Sequence, residues 1–211
     1  MRYAHLLRTM QTLTTDNLAM TDSLQKIFGS ASRLKLLRLF LFNPQHSFTA
    51  SEAARRAQID PAETRSELGN LVGSGLIRKN SRGKQTKYDV NAGFPYLLSL
   101  QNLLLNVTSR GEEVKSRLKD TGSLKLIVIG GMFMGEWESN LDLLVVGDKM
   151  KERVLKTQIK KLEAEIGKEV RYTLLATPDF IYRLNMSDRL LRDVFDFPHK
   201  IVLDKLDIGL K

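Results

Sequence analysis

Between residues 130 and 147 the chain reads GGMFMGEWESNLDLLVVG. Gly130, Gly131 and Gly135, followed by Ser139, Asn140 and Asp142 ahead of an apolar run, have the types and order for phosphate chemistry. Glycines let backbone amides approach an anion closely. Two side chains two residues apart at the start of a strand share a face, where a pair of carboxylates can hold a divalent cation. Here one of the two is not an acid. Asn140 supplies a single neutral carbonyl, whereas phosphoryl transfer through metals needs several anionic oxygens. The residues alone leave three readings open: nucleotidyl transfer, a degenerate loop that binds a ligand or a protein, and an ordinary strand, turn and helix.

The elements around this stretch decide what it resembles. Strands are predicted over residues 124–129, 141–146 and 170–176, and helices over 149–166, 178–184 and 188–195, an alternation that predicts an α/β or α+β unit. In this setting the stretch resembles the minimal nucleotidyltransferase domain, which has Gly-Ser after its first strand, a further glycine, and a Ser-Asp-x-Asp entering its second. Gly130, Gly135, Ser139 and Asp142 match that pattern, Gly131 stands where the family has serine, and Asn140 replaces the first acid. The family's third acid belongs on the next strand, where Arg171 is the residue placed to face the site and Glu169 only a weak substitute. The resemblance implies Mg²⁺ held by acids; with Asp142 alone it implies an impaired site with no metal, no cofactor and no catalytic residue. Gly130, Gly131, Gly135, Ser139, Asn140 and Asp142 are the candidate nucleotide-binding residues. Asn140→Asp is expected to restore metal binding before turnover.

Charge points to a different chemistry in the first half. The net charge is +9, and residues 1–92 hold 14 Lys/Arg against 7 Asp/Glu while residues 93–211 hold 19 against 17. A basic small domain suits a polyanion, nucleic acid before an anionic membrane surface. The chain has no cysteine, which excludes disulfides, zinc-thiolate sites and cysteine nucleophiles. No apolar run approaches the roughly 20 residues of a membrane span, and a secretion signal is not evident, so the expectation is a cytoplasmic protein without membrane contact. His5, His46 and His199 are too scattered to suggest a ligand cluster. Trp137 is read as stacking on a base or covering the domain core.

Residues 1–20 show no strong period and read as a flexible arm. A strongly apolar helix is predicted over residues 32–42, stopped by Asn43-Pro44. Thr49 and Glu52 have capping-box spacing and start a short Ala-rich helix. Asp60, Pro61 and Glu63 start another, over 61–74, after only Gln58, Ile59 and Asp60. On this last helix Thr64, Leu68, Leu71 and Val72 are predicted to face inward, leaving Glu63, Arg65, Ser66, Gly69 and Asn70 outward. Such a face is either solvated or able to enter a major groove, where Arg pairs with guanine and Asn with adenine. Residues 77–90 then read as a hairpin carrying Arg78, Lys79, Arg82, Lys84 and Lys87, with no acid before Asp89. Three helices and a basic hairpin, with SGLIRKN at the exit into it, resemble the winged-helix domains of ArsR- and MarR-type regulators. The resemblance implies a DNA-binding surface of Glu63, Arg65, Ser66, Asn70 and those five cations.

A helix predicted from residue 94 to about 118 is apolar on more than one face, to be covered by a second subunit or by the C-terminal half. The organisation expected is an arm (1–20), a winged-helix domain (21–92), a linking or dimerisation helix (93–120) and a nucleotidyltransferase-like domain (121–211), α+β in class. The function expected is that of a sequence-specific transcriptional regulator, a homodimer on double-stranded DNA. Its impaired second domain would sense a protein or a small-molecule or nucleotide effector. The alternative is an active nucleotidyltransferase that modifies a small molecule, protein or RNA.

Overall fold

The structure, a computed structural model, describes residues 24–81, 85–105 and 111–207. The chain is mixed α/β and divides into two units, Met1–Val107 with Glu163–Lys168, and Thr108–Leu162 with Glu169–Lys211.

In the first unit helix α1 (Ala31–Leu41) buries Leu34, Leu36, Leu37, Leu39, Phe40 and Leu41. A helix apolar on all sides must sit centrally, and α2 (Ala50–Ala57), α3 (Pro61–Gly73) and α4 (Leu97–Leu105) all pack on it. The reciprocal cap predicted for α2 is present: Thr49 Oγ1 accepts from Glu52 N at 3.2 Å and Glu52 Oε2 from Thr49 N at 2.8 Å. Gln58 then turns the chain with a left-handed backbone, φ 52°. Asp60 caps α3, its Oδ1 accepting from Ala62 N at 2.7 Å and Glu63 N at 3.1 Å, with Pro61 at a position that needs no donor. Strands β1 (Ile77–Asn80) and β2 (Lys87–Val90) pair antiparallel from Ile77↔Val90 to Asn80↔Lys87, and Phe48 bridges to Tyr88. Within the same unit α1 buries Arg38, whose Nη1 donates to the Glu165 carbonyl at 2.8 Å.

The apolar stretch predicted as one helix contains α4 and, beyond residues 106–110, which lie outside the described residues, α5 (Gly111–Leu118). On α4 Leu104 is buried, while Leu98 is 69% exposed and Tyr96, just before it, 67%.

The second unit is built on a four-stranded sheet in the order β5-β4-β3-β6. β3 (Ser123–Ile129) and β4 (Leu143–Asp148) are nearly continuous apolar runs and therefore take the centre. They pair antiparallel; β5 (Tyr172–Leu175) runs parallel to β4, and β6 (Lys200–Asp204) antiparallel to β3. The parallel pair requires a crossover, supplied by α6 (Glu152–Ile166). Alternation sends Leu126, Val128, Leu144 and Val146 to one core, shared with Phe180 of α7 (Thr177–Asn185) and Leu191 and Val194 of α8 (Arg189–Phe195). β6 was not predicted from the sequence, and residues 131–134, predicted as loop, form one turn of 3₁₀ helix. No helix among the described residues is long and apolar enough to cross a membrane.

Candidate functional site

β3 delivers the chain to Gly130 and Gly131, the latter at φ 50°, and the loop closes where Glu136 N donates to the Gly131 carbonyl at 2.9 Å. A Cβ on Gly131 would run into Asp142 Oδ1 and lie 2.8 Å from the Leu141 carbonyl. The position that the resemblance assigns to serine thus has room for glycine only.

Asp142 explains the crowding. It is 1% exposed, and both of its oxygens are engaged. Oδ1 accepts from Met132 N at 2.9 Å and Arg171 Nη2 at 2.7 Å; Oδ2 accepts from Arg171 N and Arg171 Nε, both at 2.9 Å. A two-pronged guanidinium on a carboxylate is among the stronger charge-assisted arrangements. The hydrogen bond to Asp142 raises the Arg171 pKa above its ordinary value despite partial burial. Arg171 Nη2 also donates to the carbonyl of the half-buried Trp137 at 3.3 Å. Arg171, the residue predicted to face the site, therefore pins the loop.

The other candidates are not aimed at Asp142. Asn140 is exposed and its Nδ2 lies 3.4 Å from Asp193 Oδ2, a residue the sequence reading missed. Ser139 Oγ donates to the Leu141 carbonyl at 3.0 Å. Gly135 is open, with nothing near a would-be Cβ. The Mg²⁺ implied by the resemblance does not fit these residues: the acceptor oxygens of Asp142 are taken, and the guanidinium upon them repels a second cation. Among the described residues no group of three His, Asp or Glu could hold a metal ion. Asn140→Asp alone would leave Arg171 in place, so the expectation that it restores metal binding is revised. A cavity beside the loop, lined by Gly130, Gly131, Ser139, Asp142, Asp193 and Phe197 among others, measures about 10 Å³, room for about one water.

The first unit holds the second set of candidates. On α3 Thr64, Glu67, Leu68 and Leu71 are buried, while Glu63, Arg65, Ser66, Gly69 and Asn70 are exposed. A Cβ at Gly69 would meet nothing within 4 Å, so the stripe is uncovered. The sequence reading missed what seats it. Glu67 accepts from Arg33 Nε at 2.8 Å, Arg33 Nη2 at 3.3 Å and Ser30 Oγ at 3.2 Å, tying α3 to α1. Burial opposes its ionisation, but hydrogen bonds from Arg33, Asn70 and Ser30 outweigh it and hold its carboxyl below the usual glutamate range.

Lys79 and Lys87 of the hairpin are exposed. Arg78, predicted as a phosphate contact, also pairs across the hairpin while its side chain stays 58% exposed: its Nη2 donates to Asp89 Oδ2 at 2.9 Å, and Asn80 Nδ2 donates to the other oxygen. Asp89 sits opposite Arg78 in the register, and the cross-strand pair follows from that placement. Arg82 and Lys84 lie outside the described residues. Comparison with known proteins finds no family model, no curated protein and no solved structure that matches this chain.

Proposed function

We propose that the protein is a sequence-specific DNA-binding transcriptional regulator in which a winged-helix unit reads the duplex and a nucleotidyltransferase-like unit, impaired in catalysis, serves as a sensing surface. The observation that carries this reading is the uncovered stripe of α3, where Arg65, Ser66, Gly69 and Asn70 present one long guanidinium and short polar or absent side chains. A helix with that face fits a major groove about 12 Å wide, and Arg and Asn match guanine and adenine edges. The adjoining Lys79 and Lys87 suit phosphate contacts, which position a protein without reading sequence. Exposure of Leu98 and Tyr96 favours a homodimer through α4, the symmetry that matches paired half-sites.

In the second unit the strand order and the Gly130-Gly131 loop support the nucleotidyltransferase-like reading, while the engagement of Asp142 by Arg171 speaks against transfer. A cavity with room for one water favours contact with a partner's surface over an enclosed nucleotide. The test is selection of bound sequences from random duplexes. A defined motif should emerge, and Arg65→Ala should lose one base preference worth about 1–3 kcal/mol with nonspecific binding retained. Absence of enrichment, or equal loss of specific and nonspecific affinity, overturns the reading of α3.

A further inference from the structure

The second unit as a whole is near neutral, but its charges are segregated. Residues 149–161, the turn into α6 and its first three turns, contain six cations (Lys149, Lys151, Arg153, Lys156, Lys160 and Lys161) and one acid, Glu152. All six are exposed or half-exposed at the surface. At 3.6 residues per turn Arg153, Lys156 and Lys160 fall within about 60° of one another. Leu155, Ile159 and Leu162 lie on another side of the helix, centred about 130° away, and are buried. These first turns of the helix are thus greasy toward their own core and cationic toward solvent, before Glu163 and Glu165 close the last turn.

Ordinary solvated helices mix the two signs, and their first turn favours acids that complement the helix dipole. Here Lys149, Lys151 and Arg153 crowd the end where cations are disfavoured, and Lys149 holds a left-handed backbone, φ 51°, that glycine or asparagine would adopt at less cost. The Glu152 to Lys156 pair is exposed at 3.7 Å and offsets little of this charge. An interfacial membrane helix needs an accessible apolar face, and the apolar face of this one is buried. A polyanion recognised by charge without insertion remains.

We propose that this face of α6 is a second phosphate-binding surface for duplex DNA, sequence-independent and separate from the α3 stripe. The choice of duplex DNA rests on the proposed function; the charge argument does not. Counterion release makes the number of phosphates contacted readable from the salt dependence of affinity.

The experiment measures binding of the full chain to its selected motif and to a random duplex across salt concentrations, for the native protein and for Arg153→Ala/Lys156→Ala/Lys160→Ala. Alanine at three exposed helical positions preserves the helix, which circular dichroism checks. The expected result is a log–log salt slope flatter by about 2 to 3, at about 0.9 per phosphate lost, with the ratio of specific to nonspecific affinity unchanged. An unchanged slope with selectivity intact overturns the α6 surface and leaves the α3 reading standing. A flattened slope in a protein that prefers no sequence supports the α6 surface and overturns the α3 reading.

Discussion

Arg171 and Asp142 meet side by side, Nε on Oδ2 and Nη2 on Oδ1, while the backbone amide of Arg171 adds a third bond to the same carboxylate. One residue thereby supplies three of the four donors to a buried acid, and the same guanidinium reaches the Trp137 carbonyl. The loop from Gly131 to Asp142 is held by that fork.

Removing it should therefore loosen the loop. Breaking a buried ion pair from one side costs about 3–5 kcal/mol; because the Arg171 side chain is 37% exposed, Arg171→Met is expected to fall just below that range, at about 2–3 kcal/mol. Arg171→Lys should recover only part, since an ammonium cannot match the fork. Denaturant midpoints measure the loss. Trp137 is the sole tryptophan, so its emission should shift to the red in Arg171→Met, and an unchanged spectrum would argue that the fork does not hold the loop.

Metal binding should require two changes. Neither the native protein nor Asn140→Asp is expected to bind Mn²⁺, because Arg171 still occupies Asp142. Combining Asn140→Asp with Arg171→Ser should produce binding detectable by calorimetry, because the new acid lies beside Asp193 and the freed Asp142 lines the same cavity as Asp193. Binding by Asn140→Asp alone would mean that Asp142 releases its arginine readily, and the clamp would lose its significance.

Gly131→Ser, which introduces the residue found in the nucleotidyltransferase pattern, should do harm. The left-handed backbone disfavours any side chain by about 1–2 kcal/mol, and overpacking against Asp142 and the Leu141 carbonyl adds about 1–3 kcal/mol. A thermal midpoint equal to that of the native chain would show that the loop rearranges freely.

The seat of α3 should be acid-labile. Glu67 is held below its usual pKa in the folded chain, so its contribution is present above the unfolded value, about 4.3, and disappears as pH falls through the lower folded value. Glu67→Gln should cost about 1.5–3 kcal/mol at neutral pH and decline less steeply under acid. Parallel stability curves for the two proteins below about pH 4.3 would remove Glu67 from that role.

Legibility in the sequence follows the range of the interactions. The caps of α2 and α3 were readable because Thr49 with Glu52, and Asp60 with Pro61 and Glu63, are complete within four residues. The outward stripe of α3 followed from helical phase. β6 was not readable: Ile201, Val202 and Leu203 make too short an apolar run, and what makes them a strand is pairing with β3 some seventy residues earlier. Glu67 looked like a solvated acid because its partner Arg33 lies 34 positions away. Arg78 looked free because the register that sets it against Asp89 is fixed only on folding. At the loop the missing acid was plain from Asn140, and Arg171 was in view, but the saturation of Asp142 depends on a partner 29 residues distant.

The clamp also constrains how this chain can change over generations. Losing Arg171 first strands a buried carboxylate, and losing Asp142 first strands the amides of Met132 and Arg171. Either first step descends in fitness through stability before any new chemistry arrives. An acid gained at position 140 brings no advantage until that descent has been crossed. The arrangement acts as a ratchet: a chain with an arginine on this aspartate reaches metal chemistry only by simultaneous changes, whereas the exposed positions around the loop are free to vary without that penalty.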